Sequence, residues 1–133
     1  MKLKLTLSIL TLLFTLSTYS QEKPDLYYVM TVPAFDLSYQ EKGKLFLAKI
    51  FTCKGYQIDN YKQKVIWMKE FKIHLLKRYD VWKKYSDPLT QANWNCSSFS
   101  SKNEAEKYMK EQVGFGQELG DVIYTDFKIT NCE

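Results

Sequence analysis

The first hydrophobic run of the chain is nearly continuous, from Leu5 to Leu16. Lys2 and Lys4 precede it, and Ser17-Thr18-Tyr19-Ser20 follow it. A charged start, a short apolar centre and small residues at Thr18 and Ser20 are the layout of a secretory signal peptide. The run has about 12 residues, whereas a bilayer span needs about 20. No cysteine follows at once, so the pattern is not that of a lipid-anchored bacterial lipoprotein. The expectation is a signal peptide over 1–20 and one globular domain over 21–133. The product would be secreted or periplasmic, without a stable membrane span.

After a polar start at 21–25, the hydrophobic period changes three times. Leu26 to Val32 is rich in β-branched and aromatic residues and ends at Pro33, which predicts a strand. Lys44 to Thr52 is mostly apolar and predicts a second, central strand. From Lys62 to Tyr85 the apolar residues recur at helical spacing. Trp67, Met68, Phe71, His74, Leu75, Tyr79 and Trp82 fall on one face, and Lys62, Lys69, Lys72, Lys77, Lys83 and Lys84 on the other. Ile66, Ile73 and Leu76 interrupt the lysine face.

Ser86-Asp87-Pro88 stops this helix, because the residue before proline leaves the helical region. Asn93 to Phe99 predicts a short strand. Ser101-Lys102-Asn103-Glu104 is a capping box, and Ala105, Tyr108, Met109 and Val113 follow at helical spacing. Gly114 then reads as the residue just past the helix end. Gly120-Asp121 leads into a last strand, Val122 to Ile129. The order β-β-α-β-α-β predicts an α+β domain, a four-stranded sheet with both helices packed on one face.

Composition narrows the function classes. The chain has 133 residues, 19 Lys+Arg and 15 Asp+Glu, and a pI near 8.8. Removing 1–20 takes Lys2 and Lys4 and no acid, so the mature net charge falls from +4 to +2. That excess is too small to point to nucleic acid. Charge is unevenly spread, however. Residues 42–84 hold 12 basic and 3 acidic groups, and residues 85–133 hold 4 and 8. The two halves either neutralise each other across the fold or leave a basic ridge. Such a ridge, built from Lys69, Lys72, Lys77, Lys83 and Lys84, would attract an anionic partner.

Three cysteines in an exported chain predict one disulfide and one spare thiol. If the last three strands are parallel, Cys53 and Cys132 lie at one edge of the sheet and Cys96 at the other. This favours Cys53–Cys132. An antiparallel third strand would instead bring Cys53 to Cys96, and Cys96–Cys132 is the remaining pairing.

No constellation selects an enzyme. His74, the one histidine, sits on the apolar helix face, which suits packing better than catalysis. One His and three scattered Cys make no metal set, and no cofactor motif is found. Gly114-Phe115-Gly116 and Gly120 follow a helix rather than a strand, unlike a phosphate loop. Glu104 with Glu106 and Glu118 with Asp121 are the available carboxylate pairs. Tyr27, Tyr28, Phe35, Tyr39, Tyr56 and Tyr61 lie near strand ends and would suit a binding patch. The stretch Cys96 to Glu106 is similar to half of a peptidoglycan-binding SPOR repeat in running strand, Ser-rich cap and Ala-containing helix. These are common residue types, and no family is assigned on them. The expected function is a small non-enzymatic binding or interaction protein, its partner another protein or an anionic envelope component. The alternative is a small carboxylate-dependent hydrolase of the envelope or exterior.

Overall fold

The computed structural model describes residues 25–35, 42–53, 61–80, 94–129 and 132. Its strands are β1 (Leu26–Ala34), β2 (Gly43–Leu47), β3 (Phe51–Cys53), β4 (Asn95–Phe99) and β5 (Gly120–Tyr124). Two helices, α1 (Tyr61–Arg78) and α2 (Lys102–Leu119), complete an α+β domain around one mixed sheet.

The long apolar run of β1 makes it the centre of the sheet. It pairs antiparallel with β4 on one side and with β2 and β3 on the other. Strand β5 adds to β2 in parallel. Across the sheet the order is therefore β4, β1, β2 with β3, then β5. Strands β2, β4 and β5 run in one direction, against β1. Pro33 is tolerated inside β1 because β4 reaches only to Thr31.

The expected second strand is broken in two. Leu26–Tyr28 face Cys53–Phe51, and Thr31–Ala34 face Leu47–Lys44. Two residues of β1 thus oppose three of the partner, Ala48, Lys49 and Ile50, which is a one-residue bulge. The Ala48 N–H still donates to the Met30 carbonyl, at 3.1 Å.

Both faces of the sheet are covered, one by each helix. Leu26, Tyr28, Met30, Val32 and Ala34 share a core with Trp67, Phe71 and Leu75 of α1. Tyr28 stacks on Phe51 at 5.3 Å and meets Trp67 edge-on at 4.9 Å. On the opposite face, Val29, Thr31, Leu45 and Leu47 are buried on the side of α2. There Gly116 lies directly against Leu45 and Val122.

The expectation of both helices on one face is therefore corrected. The first crossover carries the chain from β3 over β1 to β4, and the second carries it back to β5 at the far edge. Right-handed crossovers that step in opposite directions place their helices on opposite faces. Strand order across the sheet is a long-range property, and hydrophobic period does not encode it.

Two helix ends also differ from expectation. Helix α2 runs through Gly114 to Leu119 and stops at Gly120, whose φ of 155° suits glycine. Packing of the helix on the sheet at Gly116 outweighs the weak helix propensity of the two glycines. Helix α1 ends at Arg78, followed by Asp80 at a φ of 47°, a conformation that short polar side chains tolerate. The helix expected to reach Tyr85 thus stops at Arg78, and residues 81–85 lie outside the described residues.

The final ladder is shorter than the predicted Val122–Ile129, since pairing stops at Tyr124. Thr125 then binds the Leu47 carbonyl through its N–H (2.8 Å) and its hydroxyl (3.0 Å). Phe127 packs on Phe71 at 4.8 Å, in the α1 core. The tail ends at a Cys53–Cys132 disulfide with Cα atoms 5.1 Å apart.

Candidate functional site

Helix α1 is the more basic of the two described helices. It carries Lys62, Lys64, Lys69, Lys72, Lys77 and Arg78 against one acid, Glu70. Its buried residues Trp67, Phe71 and Leu75 recur every four positions and fix the helix on the sheet. At about 100° per residue, this anchoring turns Lys62, Ile66, Lys69, Ile73 and Lys77 outward, within an arc of about 80°. All five are exposed. Ile66 and Ile73 remain 48% and 44% accessible. Along the axis the row alternates basic and apolar.

The other lysines divide. Lys72 is half-buried, with its ammonium 3.3 Å from the centre of the Trp94 ring, a cation–π contact. Lys64 donates to the Ser98 hydroxyl at 3.0 Å. Of the five lysines expected to form an anionic-partner face, Lys69 and Lys77 are thus in the exposed row and Lys72 is held beside it. Lys83 and Lys84 lie outside the described residues. Ile66 and Ile73, which interrupt the lysine face in the sequence, are exposed and so belong to the row. Leu76, the third interruption, packs against the core.

Because the helices lie on opposite faces, their charges are kept apart. Helix α2 holds Lys102, Lys107 and Lys110 against Glu104, Glu106, Glu111 and Glu118. The sheet keeps this acidic helix away from α1. Among the described residues, the outer row of α1 therefore has no acidic helix beside it.

The His74 edge of α1 faces the tail. His74 Nε2 lies 3.0 Å from Asp126 Oδ1, and Arg78 reaches Asp126 Oδ2 at 3.4 Å. The His74 ring meets Phe127 edge-on at 5.4 Å. Desolvation acts to raise the Asp126 carboxyl, but the Arg78 charge, a backbone hydrogen bond and His74 outweigh it and hold it below its usual range. A histidine–carboxylate pair needs a nucleophile on its other nitrogen to become an acyl-transfer system. The contacts here join helix to tail.

The expected carboxylate pairs are employed separately. Glu104 completes the capping box of α2: its N–H donates to the Ser101 hydroxyl at 3.3 Å, and its carboxylate accepts from Ser100 at 2.9 Å. The side-chain hydrogen bonds from Ser100 and Ser101 hold it below its usual range. Glu106 pairs with Lys102 at 3.4 Å, and Asp121 with Lys44 at 3.1 Å. A carboxylic general acid requires the opposite shift, upward. Among the described residues, no group of three His, Cys, Asp or Glu could hold a metal ion.

A second surface escaped the sequence. Met109 and Val113 of α2 and Tyr124 of β5 form an apolar groove of about 250 Å³, rimmed by Glu106 and Lys110. Its signal was present in principle: Met109 and Val113 are four apart on a helix, and Tyr124 shares a strand face with Val122. The aromatic residues that would suit a binding patch are only partly described. Tyr28 is buried, Tyr27 is half-buried, Phe35 and Tyr61 are exposed, and Tyr39 and Tyr56 lie outside the described residues. Cys96 is half-buried in β4, and burial pushes its thiol up to about 12 despite the nearby Lys64 ammonium. It packs as a small apolar side chain beside the core, and its raised pKa disfavours the thiolate a nucleophile needs.

The fold and these surfaces define an α+β domain with one helix on each face of a mixed sheet, and with its basic helix turned outward. No protein-family model, no curated protein and no solved structure matches the chain.

Proposed function

We propose that this is an exported, non-enzymatic binding protein that docks on an anionic partner through the outer face of α1. The observation that carries the reading is the exposed row Lys62, Ile66, Lys69, Ile73 and Lys77 on a helix with six basic groups and one acid. Long-range attraction gathers an anionic partner at such a face, and the buried Trp67, Phe71 and Leu75 keep the row turned outward. Export is supported by the apolar start of the chain and by the Cys53–Cys132 disulfide, a bond that persists in oxidising compartments. No described helix is long and apolar enough to cross a membrane.

The test is retention of the full chain on dextran sulfate, compared with uncharged dextran. Retention should fall steeply between about 0.05 and 0.5 M salt, as the Debye length shrinks from about 14 to about 4 Å. A variant with Lys62, Lys69 and Lys77 all replaced by Gln should lose it. Salt-independent retention, or retention unchanged in that variant, refutes the reading.

A further inference from the structure

We infer that the anionic partner is a lipid bilayer surface, with Ile66 and Ile73 entering the headgroup layer between the lysines. The inference rests on the docking face proposed above and names what that face meets. Charge alone does not choose between a lipid surface and a soluble polyanion. The isoleucines do. They alternate with lysines along about 22 Å of helix, and nearly half of each is open to water. A sulfated or phosphorylated polymer would pair with Lys62, Lys69 and Lys77 but leave both isoleucines against charge and water. A bilayer offers apolar chains just beneath a layer of anionic headgroups. Short isoleucines reach down into it, while the longer lysine stems bend back so that their ammonium groups stay among the phosphates. The shape agrees: a single convex helix suits a broad flat surface, whereas the apolar groove at Met109, Val113 and Tyr124 lies on the opposite side of the sheet.

Each lysine near an anionic membrane contributes about fivefold in affinity, so the three together contribute roughly a hundredfold. Sinking the exposed halves of two isoleucines contributes about tenfold or more. Surface adsorption of this kind requires no membrane span.

The test uses the full chain with phosphatidylcholine vesicles, with or without about one-third phosphatidylglycerol, and with dextran sulfate. Lysine acetylation read by mass spectrometry locates the contact independently of the apolar residues 1–20. Anionic vesicles should protect Lys62, Lys69 and Lys77 but not Lys107 on α2, and neutral vesicles should protect none of them. An Ile66→Ser, Ile73→Ser double variant should need at least about tenfold more anionic vesicles for the same protection, with dextran sulfate binding unchanged. Both substitutions are at exposed positions, and circular dichroism checks that the fold is kept. If the double variant matches the parent on vesicles, the lipid inference fails while the anionic docking face stands. Protection by dextran sulfate but not by anionic vesicles has the same meaning. If neither probe protects the three lysines, or vesicles protect Lys107 equally, both readings fall.

Discussion

Gly114→Ala and Gly116→Ala insert the same methyl group into one helix, two residues apart, in opposite surroundings. At Gly114 the new Cβ would have nothing within 4 Å. At Gly116 it would lie 2.7 Å from both Leu45 Cδ2 and Val122 Cγ2, and 2.9 Å from Leu45 Cβ. The leucine side chain can rotate its Cδ2 away, but its Cβ moves only with the backbone of β2. Helix α2 must then lift from the sheet. In a helix interior alanine is favoured over glycine by about 1 kcal/mol. Overpacking a filled interior costs about 1–3 kcal/mol. Gly114→Ala should therefore stabilise the protein by up to about 1 kcal/mol, and Gly116→Ala should be neutral or destabilise it by up to about 2 kcal/mol. The propensity gain is common to both variants, so their difference isolates the packing cost, about 1–3 kcal/mol. Urea unfolding of parent and variants under oxidising conditions measures it, with unchanged m-values as the sign that the denatured state is the same. A difference below about 0.5 kcal/mol, or one of opposite sign, would refute the close approach of α2 to β2 and β5.

Further outcomes follow from the disulfide, the free thiol and the acid groups. Cys53–Cys132 closes a loop of separation 79, for which chain entropy gives about 4.5 kcal/mol. Paired Cys53→Ser and Cys132→Ser replacements should lower stability by most of that amount in urea unfolding, and a loss under about 1 kcal/mol would contradict it. Cys96 should react slowly with a thiol reagent at pH 8 while folded and rapidly in denaturant; rapid reaction of the native chain would show an open site. Its raised pKa also means that only the unfolded thiol ionises just above pH 9, so native stability should decline from about pH 9 toward 12. Glu104 and Asp126 are shifted the other way. Their contributions are present above the ordinary carboxylate pKa, near 4, and are lost as pH falls through the lower native values. Melting temperatures recorded from pH 5 to 3 should therefore fall less steeply for Asp126→Asn than for the parent, and equal slopes would count against the helix-to-tail contact.

Local physics made much of this fold legible. The capping box at Ser101 and Glu104 is a four-residue event, and it is found as read. The apolar stripe Trp67, Phe71 and Leu75 needs only the helical period. Expecting the last three strands to run in one direction was enough to favour Cys53 with Cys132, because it placed their ends at one edge. What the sequence did not disclose depends on partners far along the chain. Gly114 and Gly116 look like a stop until Leu45 and Val122 are seen to require a residue without a side chain at Gly116, with the helix carried through Gly114. The break at Ala48–Ile50 has no turn residue to announce it, since a bulge is set by register against β1. Ile66 and Ile73 looked like imperfections of an amphipathic pattern because nothing local tells an exposed isoleucine from a buried one.

The reversal of the second crossover links these features to the surface proposed for function. Had both connections stepped the same way across the sheet, α1 and α2 would share a face. The acids of α2 would then stand beside the lysines of α1 and screen them at short range. The reversal places a sheet between the two helices, so the four glutamates of α2 lie on the opposite side from the lysines of α1. Among the described residues, no second helix shares the face of α1. The tail fills that place: Phe127 packs on Phe71, Asp126 contacts His74 and Arg78, and Cys132 closes on Cys53. These contacts hold the His74 side of α1 and leave the Lys62–Lys77 row free of them. A helix clamped along one edge and buried along another presents its remaining face in a fixed orientation. Little ordering entropy is then left for docking to spend.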